Sequence, residues 1–218
     1  GIAVCDMTQV FGKLPLDFTG SGARMALVSA HKLGGPKGIG ALVLRRGQEV
    51  PAQIKGGGQE MGRRSGTENI IGMVGFAAAA KAAVRDVAAG RWDRVAELRN
   101  ILENGLEAAS KKTIFVGKDA GKTESLSAPG RLPNTSCFVT PGWKGETQVM
   151  QMDLAGFAVS AGSACSSGKV RASRVLTAMA DAASAVRVSL GLETTEDDVL
   201  RFIEAWTGKL RKHEARAA

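Results

Sequence analysis

The sequence predicts an α/β protein, with the closing part of a larger α/β layer over residues 1–90 followed by a small α+β unit over residues 91–218. Three observations carry this. Short apolar runs punctuated by glycine-rich turns fill the stretch from Ile2 to Leu44. A long alanine-dense segment, helical in pattern, is broken at Gly90. Beyond that glycine, helical and strand-like segments alternate through to a capped closing helix.

In order, Ile2 to Asp6 is an apolar run ending in an acid and reads as a buried strand. Met25 to Ser29 is a second strand, followed at once by His31-Lys32, and the Gly34-Gly35-Pro36 cluster turns into a third, Gly38 to Leu44. Gly56-Gly57-Gly58 opens a loop carrying Gln59 to Thr67. Asn69 to about Ala89 reads as a helix, and Trp92 to Ala109 as another, with Val95, Leu98, Leu102 and Leu106 on one face. Gly117 to Gly130 is polar and loop-like, Thr135 to Val139 a strand, Glu146 to Leu154 a helix and Phe157 to Ser160 a strand. Ala161 to Arg171, small and polar, reads as a loop. A short helix from Ser173, a strand from Ala185 to Leu190, and a helix capped by Thr194 or Thr195 complete the chain. Glu196, Asp197 and Asp198 fill that helix's first turn, where the dipole favours acids.

Bulk properties narrow the function. The 218 residues are 44% hydrophobic and 23% charged, ordinary for a globular protein. No apolar run approaches the roughly 20 residues that span a bilayer, so no membrane association is expected. The longest candidate, Ile70 to Ala80, reads as a buried helix. The opening GIAVCD lacks the features of a signal peptide, and it begins directly in a strand, as a fragment would. Cys5, Cys137 and Cys165 are far apart with no CxxC pairing, so neither a disulfide framework nor a metal site is expected, and a cytoplasmic setting fits. The net charge of +8 is scattered, tyrosine is absent and aromatic side chains are few, which argues against direct nucleic-acid binding. An anionic cofactor or an acidic partner explains the charge as readily.

Chemistry concentrates in three places. Lys32, just beyond an apolar strand and before glycines, can present its amine to a cleft and form a Schiff base with an aldehyde cofactor. Most lysines after strands are simply solvated. Asp6 and Gln9 lie one strand upstream, where a strand–connection–strand unit brings Asp6 to the same sheet edge as Lys32. A carboxylate there could pair with a protonated pyridine nitrogen, and Gln9 could donate to a phenolic oxygen; the plainer reading is an acid ending a strand. Cys165, within Ser160-Ala161-Gly162-Ser163-Ala164-Cys165-Ser166-Ser167, stands in a run of small residues that suits an accessible thiolate. Cys5 and Cys137, inside apolar runs, read as small core residues.

The order D-x-x-Q, S-x-HK-x-x-GPKGIGAL, GGGQE-x-G-x-RSGT-x-N, SAGSACSS and AVRVSLG-x-x-TTEDD resembles the NifS/IscS cysteine desulfurases, fold-type I pyridoxal-phosphate enzymes close to the class V aminotransferases. The match runs from Asp6 to the closing helix. It implies a partial large domain of the PLP-transferase fold over 1–90 and a small C-terminal domain with the cysteine loop over 91–218. It further implies that Lys32 holds pyridoxal 5'-phosphate and later shuttles a proton, that Asp6 pairs with the pyridinium, and that Gln9 bonds the phenolic oxygen. Ser29 and His31 would bind the phosphate, and Thr67 the phosphate of a neighbouring subunit's cofactor, which makes a homodimer the expected assembly. Arg187 would clamp the carboxylate of L-cysteine. Cys165 would take the substrate sulfur as a persulfide, leaving L-alanine.

The stretch from Ser166 to Arg174 resembles the long-loop members, which implies a sulfur-acceptor protein, either an iron–sulfur scaffold or a carrier for tRNA thiolation. Family subunits are considerably longer. Their preceding half supplies a phosphate-binding turn, a histidine stacked on the ring and an asparagine, for which this sequence offers no counterpart. His213, in the basic tail, reads as a solvated surface residue. Two other readings stay open: a non-catalytic remnant serving dimerisation or interaction, and another class V enzyme such as an aminotransferase or a selenocysteine lyase.

Overall fold

The computed structural model describes residues 1–118, 131–161, 174–180, 182 and 184–217. The expected polar loop therefore lies outside the described residues from 119 to 130. The cysteine loop lies outside them from 162 to 173. The chain forms two compact units, Gly1–Arg91 and Trp92–Ala218.

In the first unit, β1 (Val4–Asp6) runs parallel to β2 (Met25–Ser29), which pairs antiparallel with β3 (Gly40–Leu44). Asp6 is in register with Leu27, and Ser29 with Gly40. Gly40 suits that place because a β-carbon there would come within 2.7 Å of the Val28 carbonyl oxygen. A 3-10 turn, Ala30–Lys32, closes β2. A single 19-residue helix, α1 (Ile70–Ala88), follows, alanine-rich and therefore strongly helix-forming. Asn69 caps it by accepting the Gly72 amide at 3.0 Å. Gly90, at φ +67°, provides the left-handed residue that ends it.

Two expectations fail here. β1 is exposed along its length, and so is the start of α1, where Ile71 is 88% accessible. The apolar pattern was read correctly as structure-forming, but among the described residues no layer covers these faces. The buried apolar residues of this unit are only Met7, Ala23, Ala26, Ala30 and Ala83. Cys5 follows β1 into solvent and is not a core residue.

The second unit is built differently. Its sheet has the order β4-β5-β7-β6, from Ile114–Phe115, Thr135–Val139, Val186–Ser189 and Ser160–Ala161, with antiparallel pairing throughout. Phe157 to Val159, expected as strand, precede β6. Side chains alternate in β5 and β7, so Ser136, Phe138, Val186 and Val188 point to one face. Helices α2 (Arg91–Ala109) and α5 (Glu196–Ala217) contribute Val95, Leu98, Leu102 and Leu106, and Val199, Phe202, Trp206 and Leu210, to the same core. α3 (Gly145–Asp153) adds Met152. The short α4 (Arg174–Ala180) contributes a buried Leu176.

Two polar features are set into this core. Glu103, 1% exposed, takes Arg131 in a two-pronged ion pair at 2.6 and 2.8 Å, and the Ser136 hydroxyl donates to it at 2.7 Å. Trp206 donates its indole N–H to Gln148 at 2.9 Å. α5 opens on a reciprocal cap: the Thr195 hydroxyl accepts the Asp198 amide at 3.1 Å, and the Asp198 carboxylate accepts the Thr195 amide at 3.0 Å. Of the two threonines expected to cap, Thr195 does so. His213 is not a free surface residue. Its ring stacks on Trp143 at 5.3 Å and reaches the Gly142 carbonyl at 3.1 Å, because α5 runs long enough to bring it back over that turn.

Candidate active site

In the first unit β1 and β2 are parallel, so their carboxyl ends emerge on the same side of the sheet. The crevice beyond such ends is where open α/β sheets bind ligands. Asp6 is the last residue of β1. Its carboxylate accepts the Thr8 amide at 2.9 Å. Hydrogen bonds from the Thr8 hydroxyl, and then from its amide, hold that carboxyl below its ordinary range, so Asp6 is an anion at neutral pH. Gln9 follows in the same turn, its side chain exposed. Met7 pins the turn by donating its amide to the Leu27 carbonyl at 2.9 Å and burying its own side chain.

Ser29 ends β2, and its hydroxyl lies 2.9 Å from Nδ1 of His31. Lys32, exposed, completes the 3-10 turn that Ala30 anchors from a fully buried position. Asp6, Gln9, Ser29, His31 and Lys32 therefore share one end of one sheet.

Thr67 is exposed in the loop between β3 and α1. That loop is closed by the Ser65 amide on the Ile54 carbonyl at 3.0 Å and by the Gly66 amide on the Gln59 side chain at 3.2 Å. Glu60 and Met61, at φ +51° and +55°, are the left-handed non-glycine residues of the molecule's described part, and they sit in this loop.

Arg187 belongs to the second unit. It stands on β7 in register with Cys137 of β5 on one side and Ser160 of β6 on the other. The three residues form a row on the sheet face opposite the core. Arg187 reaches the Ser160 hydroxyl only at 3.4 Å, and its Nε is buried without a partner. An unpartnered guanidinium nitrogen is a hydrogen-bond donor left free for an acceptor. Cys137 is half-buried. Burial pushes its thiol up, against the opposing pull of Arg187, which leaves it a poor thiolate. Cys165 lies outside the described residues.

Sequence reasoning missed Lys13, which is nine-tenths buried and bonded through Nζ to the Gln9 carbonyl at 2.8 Å. It also missed Glu103. Its signal was legible: an acid four positions after Arg99 and next to Leu102 falls on the apolar stripe of α2. Among the described residues no cluster of His, Cys, Asp and Glu could hold a metal ion, and no helix is long and apolar enough to cross a membrane.

The end of this sheet thus carries a carboxylate, a hydroxyl–imidazole pair and a lysine. Residues 1–202 match the class-V aminotransferase family, and the chain belongs to it. It is 40% identical over 203 residues to a cysteine desulfurase of Cereibacter sphaeroides, covering 91% of this chain and 49% of that protein. It is likewise 40% identical over 214 residues to the cysteine desulfurase IscS of Anaeromyxobacter sp. strain Fw109-5, covering 95% of this chain and 50% of that protein. The fold is that of a NifS-like protein from Rickettsia africae, with a TM-score of 0.81 at 29% identity, over 95% of this chain and 53% of the other. The chain spans about half the length of the curated relatives it matches.

Proposed function

We propose that this chain supplies the lysine and the sulfur-relay cysteine of a pyridoxal-phosphate-dependent cysteine desulfurase. The observation that carries the reading is the gathering of Asp6, Gln9, Ser29, His31 and Lys32 at the carboxyl end of β1 and β2. The donor set fits the cofactor. Asp6 is an anion able to meet a pyridinium nitrogen, the Ser29 hydroxyl and His31 ring present paired polar groups to a phosphate, and Lys32 offers an exposed amine.

When bound, the cofactor supplies an electron sink for the substrate's α-carbon. Asp6 keeps its ring nitrogen protonated, and Gln9 steadies its phenolic oxygen. Ser29 and His31 hold its phosphate, while Thr67 serves the phosphate in a second subunit of a homodimer. Lys32 would hold the cofactor and would move the proton at the substrate's α-carbon. Arg187, whose Nε is otherwise unpartnered, takes the carboxylate of L-cysteine. The Cys165 thiolate would attack the substrate sulfur and keep it as a persulfide; the pair of the broken carbon–sulfur bond stays with the β-carbon, which takes up a proton, and L-alanine leaves. The sulfur then passes to an acceptor protein, an iron–sulfur scaffold or a tRNA-thiolation carrier.

The experiment is an absorption spectrum of the purified protein with pyridoxal phosphate, beside Lys32→Ala. A visible band that needs Lys32 and changes with L-cysteine is the expected result. The exposed apolar residues of β1 and α1 favour a second reading, an interaction module without turnover. Absence of a Lys32-dependent band would select it.

A further inference from the structure

Arg187 is set between two short side chains. β7 lies inside its sheet, with β5 on one side and β6 on the other. Register therefore places Cys137 and Ser160 directly across from Arg187 on the two neighbouring strands. Residues so placed have β-carbons about 5 Å apart on one face of the sheet. Val186 and Val188, which flank Arg187 in sequence, are buried on the other face. Cys137 offers the guanidinium only a thiol, a weak acceptor. Ser160 offers a hydroxyl, and one terminal nitrogen, Nη2, donates to it at 3.4 Å. Among the described residues no carboxylate pairs with Arg187, and its Nε is buried without a partner. The cation is thus held by a neutral group and keeps its whole charge.

We propose that Ser160 is a positioning residue for Arg187: its hydroxyl fixes one prong of the guanidinium from the next strand without neutralising it. Geometry and charge both favour serine here. A long side chain that is ordered before its ligand arrives binds it better, because less freedom is lost on binding. An aspartate in this place would order the arginine more tightly, but its ion pair would compete with an incoming carboxylate. An alanine would leave the charge and lose the fix. A hydroxyl avoids both faults. Because it accepts through a lone pair, its own proton also stays free to donate to the same anion. The use of this arrangement for the carboxylate of L-cysteine rests on the desulfurase reading; the hold on Arg187 does not.

The test uses the 218-residue chain without cofactor. Nitrogen-15 relaxation of the Arg187 Nε–H group reports how ordered the guanidinium is. Acetate serves as a bare carboxylate probe whose binding shifts the same signal. In Ser160→Ala the order parameter should fall from about 0.85 toward about 0.6. Acetate should bind roughly fivefold more weakly, the scale of one ordinary hydrogen bond. Ser160→Thr keeps the hydroxyl and should restore both. Ser160→Asp should keep the order and abolish the response to acetate, since the site then carries its own anion. The backbone amides of Val186 and Val188 should not change in any variant. Loosening of those amides in step with the side chain would mark a merely structural role and overturn the proposal. So would an Arg187 signal equally ordered with serine and with alanine. If Ser160→Ala does not fold, Ser160→Cys, similar in size and a weaker acceptor, replaces it. An Arg187 that loses order in Ser160→Ala but never responds to acetate would leave the positioning intact and count against the desulfurase reading alone.

Discussion

The two units spend their apolar residues in opposite ways. The second encloses Leu106, Phe138, Met152 and Trp206 completely, with rings of Phe138 and Trp206 set edge to face at 5.8 Å. The first encloses Met7 and four small alanines, and leaves Leu27, Leu42, Ile70, Ile71 and Val74 in contact with water. Both are α/β assemblies of similar ingredients. The difference is one of layers: sheet β4-β5-β7-β6 has helices filling its inner face, whereas the faces of β1-β2-β3 are largely open among the described residues. The second unit therefore holds the features of a self-sufficient core. The first holds most of the candidate chemistry on a sheet with open faces, where large apolar side chains meet water.

The comparison is broken most forcefully from the second unit. All three tryptophans, Trp92, Trp143 and Trp206, lie in it, so fluorescence reports its unfolding separately from the helical signal of the whole chain. Trp206→Ala removes a wholly buried ring and orphans Gln148. It should cost about 4 kcal/mol in denaturant titrations followed by fluorescence. A cost below about 1 kcal/mol would mean that this core does not stabilise the unit as a whole.

Next in size is Glu103. Burial works to raise its pKa, but the hydrogen bonds from Arg131 and Ser136 outweigh it, and the net effect lowers it. A folded-state value below the unfolded one means stability that is present at neutral pH and lost as acid drives the group through its folded value. The window therefore opens below the ordinary glutamate pKa of 4.5. Glu103→Gln should cost about 3 kcal/mol at neutral pH, because Arg131, only partly exposed, loses its anionic partner. It should also flatten the loss of stability between neutral and acid conditions, read from melting temperatures across pH.

The sequence made much of this legible, for reasons that differ by unit. The stripe Val95, Leu98, Leu102 and Leu106 announced α2 because a helix that packs on a core must repeat its apolar residues at that spacing. The strand ends at Asp6 and Ser29 were legible because acids and hydroxyls replace apolar residues where a strand leaves the sheet. What failed in the first unit was burial. An apolar run says that a segment is able to be covered, and not that a layer is there to cover it, so Cys5 and Ile71 were placed inside and lie outside. His213 failed, and Lys13 was passed over, for the reverse reason. Long polar side chains are assigned to water by type, and only tertiary placement shows Lys13 enclosed and His213 stacked on Trp143.

A smaller effect tests the rim of the second unit. Thr195→Ala removes the hydroxyl that caps α5 and the partner that helps fix Asp198. It should cost about 1 kcal/mol by the same fluorescence titration. Thr194→Ala, which loses only a bond to the Gly191 amide in an exposed turn, serves as the milder control.

The smallest expected effect is the most informative about the first unit. Ile71→Ser changes a large apolar side chain, yet at 88% exposure that side chain touches little that could be lost. Substitution at such a site should move stability by no more than about 0.5 kcal/mol. The measurement is urea unfolding of the 218-residue chain followed by circular dichroism, since this unit has no tryptophan. It is repeated at several protein concentrations. A loss within that limit, independent of concentration, keeps the contrast between an enclosed core and an open face. A loss of several kcal/mol that grows with protein concentration would break it, because destabilisation of that form arises only when the face of α1 is covered by a second copy in solution.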